Sequence, residues 1–91
     1  MQVEDNEVRW QDRIVSTPET LFGKPRIAET RIGVEFLLGL LAAGWSKADI
    51  LDEYPRLTAA DLQAVFAFAR DCVKDLPRLA HPLPAQENDA A

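Results

Sequence analysis

Apolar residues between positions 34 and 43 recur at the spacing of an α-helix. The stripe at i, i+3, i+4 and i+7 consists of Val34, Leu37, Leu38 and Leu41. Gly44 follows as a residue suited to end the helix, so the pattern predicts a first helix over residues 34–43. Phe36 and Leu40 lie off this stripe, which makes the helix apolar nearly all round and indicates that more than one of its sides is covered.

Two further helix starts share one pattern, in residues 45–50 and 57–62. In each, an apolar residue precedes a hydroxyl residue, and an acid and a second apolar residue follow. Ser46 and Thr58 are the predicted N-caps, and Asp49 and Asp61 the acids that complete them. The second helix is predicted over residues 47 to 53 or 54, and the third over residues 59–74.

The third helix is expected to place Leu62, Val65, Phe66, Ala69 and Val73 on its inner face. The residues expected on its outer side are Ala60, Ala64, Ala67 and Phe68. Since an aromatic ring on an outer face is either part of a second core or part of a contact surface, Phe68 is a candidate for partner contact.

Alternating apolar and charged residues before the first helix predict extended structure in residues 10–15 and 26–34. A short hairpin is expected in which residues 26–28 pair with residues 31–33, with Glu29 and Thr30 at its tip. Acidic residues 1–8 and the proline-rich residues 76–91 are expected to be mobile, which leaves one domain over residues 9–75.

The predicted fold is mostly α, a three-helix, helix-turn-helix or winged-helix-like bundle preceded by a short β-arm or hairpin. A three-helix bundle without any DNA function fits the same pattern, because a fold does not fix a function. Both interpretations stay open from the pattern alone.

Charge argues against strong binding to nucleic acid by a single chain. The formal net charge is −5, and bases do not outnumber acids in residues 1–31, 32–71 or 72–91. A local basic patch on a dimer remains compatible with this balance. The only cysteine cannot form an internal disulfide and no leader pattern opens the chain, so we expect a cytoplasmic protein.

Catalytic and metal-binding constellations are not evident. Cys72 and His81 are the only residues of their types, and His81 lies in the proline-rich tail. One cysteine and one histidine do not make a zinc site or a placed nucleophile and base. We therefore expect no enzymatic activity, no metal and no cofactor.

Candidate contacts to DNA come from the start of the third helix and from the β-prone stretch. Arg56, Thr58 and Gln63 could present donors to a major groove, although only Gln63 is well suited to bases. Arg26 and Arg31 are either ion-paired structural residues or contacts to the DNA backbone. Phe36, Leu40 and Phe68 are the candidate contacts in a dimer.

The stretch from Arg13 to Asp71 resembles the bacterial family known as domain of unknown function 433. The motifs that carry the resemblance are Gly23-Lys24-Pro25, Thr30-Arg31-Ile32, Ala43-Gly44-Trp45-Ser46 and Tyr54-Pro55-Arg56-Leu57-Thr58. One difference is Glu29, because the family usually has glycine before the Thr-Arg-Ile motif. If that position requires positive φ, Glu29 is strained there.

The resemblance implies a helix-turn-helix-like fold with a β-arm. It also implies a role as the antitoxin of a type II toxin–antitoxin pair, whose toxin is a PIN-like ribonuclease. In this hypothesis a homodimer captures the toxin, represses its own operator, and places Arg78 of the tail near the toxin's acidic metal site. The alternative is a dimeric protein-interaction module with no DNA contact.

Overall fold

Three α-helices and one small antiparallel β-pair make up the part of the chain that the computed structural model describes, residues 8–76. The helices are α1, Val34–Ala42; α2, Lys47–Glu53; and α3, Ala59–Lys74. The strands are β1, Ile14–Val15, and β2, Arg26–Ile27. A 3-10 turn at Trp10–Asp12 precedes β1. The prediction of three helices preceded by a short β-pair is therefore confirmed.

Local signals set the helix boundaries. The Ser46 hydroxyl accepts a hydrogen bond from the Asp49 amide at 3.0 Å, and the Thr58 hydroxyl accepts one from the Asp61 amide at 3.2 Å. In return, the carboxylate of each acid accepts a hydrogen bond from the backbone N–H of its cap residue. At the end of α1, Gly44 has φ of +103°. This geometry lets the amides of residues 44 and 45 reach the carbonyls of Leu41 and Leu40, which closes the helix.

The strands pair differently from the expected hairpin. Ile14 lies opposite Ile27 and Val15 opposite Arg26, so the partner of β2 is β1 across a long connection. The hairpin expected between residues 26–28 and 31–33 forms only in part. Its contacts are one isolated bridge between Arg26 and Gly33 and a hydrogen bond from the Ile27 amide to the carbonyl of residue 32. The chain between the two is a tight turn that includes Glu29, as predicted.

The core lies where the three helices meet the β-pair. Its buried apolar members are Ile14, Ile27, Val34, Leu37, Ile50, Leu57, Leu62, Ala64 and Val65. Leu40, which lies off the apolar stripe of α1, is partly buried against this core, whereas Phe36 is exposed.

The orientation of α3 differs from the prediction. Leu62 and Val65 are buried as expected, but Phe66 and Val73 are exposed, and Ala64 and Ala67 are buried. Phe68 is half-buried because the ring of Trp10 packs edge-on against it, with ring centroids 4.8 Å apart. The N-terminal turn therefore covers a side of α3 that the helix sequence taken alone leaves open.

Candidate functional site

Three arginines from separate parts of the chain meet at one shallow depression. Its lining residues are Thr20, Arg26, Glu29, Thr30, Arg31 and Arg56. We call it the arginine depression. Its cations come from β2, from the turn before α1 and from the connection between α2 and α3. Three of the five residues predicted to contact DNA are thus brought together.

Arg26 and Arg56 hold the walls of this depression in place. Arg26 Nη1 donates to the Thr30 carbonyl at 2.9 Å and its Nη2 donates to Thr17 Oγ1 at 3.3 Å. Arg56 Nη2 donates to the Glu29 carbonyl at 2.9 Å, which ties the α2–α3 connection to the turn before α1. Both guanidinium groups therefore stabilise the local structure in addition to carrying a positive charge.

Arg31 differs from these two arginines. It is exposed, and within residues 8–76 its side chain has no hydrogen bond or ion pair. Glu29, whose carboxylate could have paired with Arg26 or Arg31, forms no ion pair with either of them. Arg31 is therefore the cation of the depression whose hydrogen-bond donors are available for an external anion.

Glu29 adopts the left-handed backbone conformation, with φ of +64°. This confirms that the position requires positive φ, which costs a non-glycine residue about 1–2 kcal/mol. The neighbouring Thr30 stabilises the turn, because its hydroxyl donates to the Ile27 carbonyl at 2.8 Å and accepts the Ile32 amide at 3.0 Å. The strained residue is thus held by bonds on both sides.

Thr58 and Gln63 lie at the start of α3 and are exposed. The adjacent acid, Asp61, which could repel phosphates, is buried and forms an ion pair with Arg13 Nη1 at 3.0 Å. Sequence reasoning missed this pair, because no local signal links residues 48 positions apart. The pair removes much of the negative charge that the start of α3 would otherwise present.

A second surface, which we call the apolar groove, lies beside the arginine depression and shares Arg31 with it. The apolar lining consists of Leu21, Phe22, Pro25, Ile32, Gly33 and Phe36. The volume of the groove is about 610 Å³. Charged residues at its rim are Lys24, Arg31 and Glu35, and the first and last of these form an ion pair at 3.0 Å.

The wall of the groove at residues 21–23 has an unusual backbone. Leu21, Phe22 and Gly23 have φ of +52°, +57° and +80°, so three consecutive residues are left-handed. The Ser16 hydroxyl donates to the Gly23 carbonyl and helps to hold this turn. The side chain of Phe22 is 98% exposed. Sequence reasoning identified the glycine as a turn residue, but nothing in the letters of Leu21 or Phe22 indicates positive φ.

A third surface, which we call the α3 stripe, consists of Phe66, Val73 and Leu76, all exposed. Phe66 and Val73, seven positions apart, lie on one side of α3, and Leu76 follows just after the helix ends, where its amide donates to the Val73 carbonyl at 3.0 Å. On another side of α3, Asp71 accepts a hydrogen bond from Trp10 Nε1 at 2.8 Å. That bond lowers the pKa of the Asp71 carboxyl below its ordinary value of 3.8, with smaller contributions from Arg70 and Lys74.

Within residues 8–76, no three His, Cys, Asp or Glu side chains lie close enough together to hold a metal ion. No helix there is both long enough and apolar enough to cross a membrane. Cys72 is exposed. The predictions for His81, Arg78 and the mobile ends fall on residues 1–7 and 77–91, outside the described part.

Comparison with known proteins gives one family and one solved structure. A family profile described as "Protein of unknown function (DUF433)" matches residues 14–69. The chain is also similar, at 34% identity and a TM-score of 0.67, to the crystal structure of a DUF433 member protein from Anabaena variabilis ATCC 29413. The alignment covers 70% of this chain and 63% of that one, less than two thirds of its length. No curated protein is similar enough to count as a match.

Proposed function

The chain belongs to the DUF433 family, and on this premise we propose that it is an antitoxin-like binding protein that neutralises a PIN-like ribonuclease by direct contact in the cytoplasm. The ribonuclease is the partner that resemblance to this family implies. A protein of this kind needs a contact surface and no catalytic residues of its own. How such a protein neutralises its toxin depends on which of its surfaces the toxin covers.

The observation that supports this proposal is the set of large apolar side chains that the described part of the fold leaves exposed. Five large apolar side chains are exposed, and three of them form the α3 stripe. Contiguous apolar surface on a small protein marks a site of protein contact more often than isolated exposed residues do. We assign the toxin to the α3 stripe because this stripe leads directly into the proline-rich segment that follows residue 76.

Operator binding is the second part of the proposal. We propose that α2 and α3 act as a helix-turn-helix unit and that the arginine depression contacts the DNA backbone. Arg31 supplies free donors for a phosphate, and Gln63 is the exposed residue at the start of α3 best suited to read a base. The Arg13–Asp61 pair supports this geometry because it reduces repulsion between α3 and phosphates.

The alternative is a protein-interaction module that never contacts DNA. Its support is specific: Arg26 and Arg56 use donors on oxygens of their own chain, and the net charge is −5. With one free arginine per depression, phosphate contact would depend mainly on Arg31. The two functions therefore differ in what happens when that residue is replaced.

Toxin capture is tested by co-expressing the tagged protein with its neighbouring reading frames and assaying the co-purified material for ribonuclease activity. We expect a stoichiometric PIN-like partner whose activity is blocked. Val73→Ser should weaken capture about tenfold, because a buried apolar contact at an interface is worth about 1.4 kcal/mol or more. Lys74→Ser is the matched control, since it changes the adjacent exposed position of the same helix.

Either of two results would contradict this assignment. If no ribonuclease co-purifies, the antitoxin function is wrong. If a ribonuclease co-purifies but Val73→Ser and Lys74→Ser capture it equally, the toxin binds a surface other than the α3 stripe.

Operator binding is tested by fluorescence anisotropy with the duplex upstream of the reading frame, over a series of salt concentrations. We expect Arg31→Ala to weaken binding and to reduce the dependence of log K on log salt by about one unit, as the loss of one phosphate contact does. Lys47→Ala, which removes an exposed cation at the start of α2, should have a smaller effect. Absence of binding by the wild type would favour the module without DNA contact.

A further inference from the structure

The apolar groove combines a projecting ring and a receiving surface on one face of the molecule. Phe22 projects from one wall and is 98% exposed. Beside it, the groove offers Pro25, Ile32 and Phe36 as apolar lining. A surface that carries both a projecting ring and a groove can pair with a copy of itself, because a two-fold axis places the ring of each copy next to the groove of the other.

The backbone that presents Phe22 is left-handed at two consecutive non-glycine residues, Leu21 and Phe22. Such conformations are costly, and they persist where the surrounding structure holds them for a function. Here the fold holds a large aromatic ring almost wholly in water, where the ring itself contributes little to stability. The geometry therefore makes sense when the ring is covered by something other than this chain.

Charge at the rim favours a second copy over a strongly charged partner. Lys24 and Glu35 form an ion pair at 3.0 Å, so the rim carries both signs close together. In a two-fold arrangement, Lys24 of each copy can face Glu35 of the other, so these two charges stay paired at the contact, while Arg31, the third charged residue at the rim, keeps its donors for the arginine depression. A polyanion or a strongly basic protein would match only one of these charges.

We propose that two copies of this chain associate about a two-fold axis through the apolar groove, with Phe22 of each copy inserted beside Pro25, Ile32 and Phe36 of the other. This association does not require the toxin or DNA. It also differs from the dimer contacts expected at Leu40 and Phe68, which are partly buried within the chain, and retains Phe36.

The association has a consequence for the arginine depression. Arg31 lines both the depression and the groove, and Thr20 and Leu21, which are adjacent in the chain, line one each. Pairing through the groove therefore places two arginine depressions on either side of the two-fold axis. Two weak phosphate contacts would then act together on one duplex, in the way that dimeric DNA-binding proteins use paired half-sites.

Sedimentation velocity of the full chain over a concentration series tests the proposal. We expect a reversible dimer for the wild type and a dissociation constant raised about tenfold or more for Phe22→Ser. Phe66→Ser, which removes an exposed ring from α3, is the matched control and should leave the constant unchanged. Since Phe22 is almost fully exposed, the circular dichroism spectrum of Phe22→Ser should match that of the wild type.

Hydrogen exchange of the wild type at low and high protein concentration locates the contact independently of any variant. We expect amides of residues 21–24 and 31–36 to become protected as the concentration rises. A monomer at every concentration, an unchanged dissociation constant in Phe22→Ser, or protection confined to α3 would overturn the proposal. Protection of the groove only when the toxin is added would assign this surface to the toxin instead.

Discussion

Replacing Glu29 by glycine should stabilise the protein, although it removes a side chain. Glu29 has φ of +64°, a conformation that glycine adopts without steric cost. The Glu29 side chain is exposed and forms no ion pair within residues 8–76, so its removal breaks no contact there. The bond from Arg56 Nη2 goes to the backbone carbonyl of residue 29 and is retained in the variant.

Two opposing terms set the size of the effect. Relief of the left-handed conformation contributes about 1–2 kcal/mol. The greater freedom of glycine in the unfolded chain costs about 0.4–1 kcal/mol. The two ranges together give a net gain in the free energy of unfolding of about 0–1.6 kcal/mol, with a central value of about 0.8 kcal/mol. For a domain of this size, the central value raises the Tm by roughly 3–6 °C.

Thermal and urea denaturation followed by circular dichroism measure this change, with Glu29→Ala as the control. The alanine variant also loses the carboxylate but keeps a Cβ, so it should stay within about 0.5 kcal/mol of the wild type. Equal stabilisation by glycine and alanine would show that the gain comes from removal of the Glu29 side chain and not from relief of the backbone. A glycine variant less stable than the wild type would refute the reasoning.

Two further predictions concern carboxylates that hold elements together. Asp61→Ala should lower the free energy of unfolding by about 2 kcal/mol, because it removes both a capping bond and the partner of Arg13. Urea denaturation measures this change, and a loss of stability no larger than that of a substitution at an exposed position would contradict the prediction. The Trp10 hydrogen bond lowers the pKa of Asp71, and the bonds from Ser46 lower the pKa of Asp49. Because each carboxyl has a lower pKa in the folded protein than in the unfolded chain, each contributes stability that is lost as the pH falls below about 4. Trp10→Phe should make that acid-side loss shallower in denaturation curves at several pH values, and an unchanged slope would exclude the role of the bond.

Helix boundaries and caps could be predicted from the sequence because their causes are local. Ser46 and Thr58 each meet an acid three residues later, and both capping boxes form as expected. Gly44 ends α1 through its own positive φ. In each case, the residues that decide the structure lie within one helical turn of each other, so the sequence pattern contains the whole interaction.

The buried face of α3 could not be predicted in the same way. The helix pattern fits Phe66 and Val73 as inner residues as well as it fits Ala64 and Ala67. Its orientation is decided by the Trp10 turn, more than fifty positions earlier, whose ring packs on Phe68 and whose Nε1 bonds to Asp71. No periodicity in α3 records that distant partner.

The candidate site could likewise be predicted only where its causes are local. Arg26, Arg31 and Arg56 were predicted individually from their residue type, and the fold brings them together around one depression. Arg26 bonds to the Thr30 carbonyl only four residues away, whereas the bond from Arg56 to the Glu29 carbonyl depends on how the turn before α1 meets the α2–α3 connection. The apolar groove was missed because it depends on left-handed residues at Leu21 and Phe22, for which the sequence offers only the following glycine as a signal.

Net charge alone is a poor guide to whether this protein binds DNA. The charge of −5 is an average over the chain, whereas phosphate contact depends on the charges within a Debye length of about 8 Å. At the start of α3, Arg13 neutralises Asp61, and beside it Arg31 and Arg56 line a depression in which one of the six lining residues, Glu29, is an acid.

Glu29→Gly therefore removes a carboxylate from the arginine depression and also relieves the strain. If the arginine depression contacts DNA, this substitution should strengthen operator binding and Glu29→Ala should strengthen it equally, even though only the glycine variant becomes more stable. Equal binding by wild type and both variants would separate the depression from DNA.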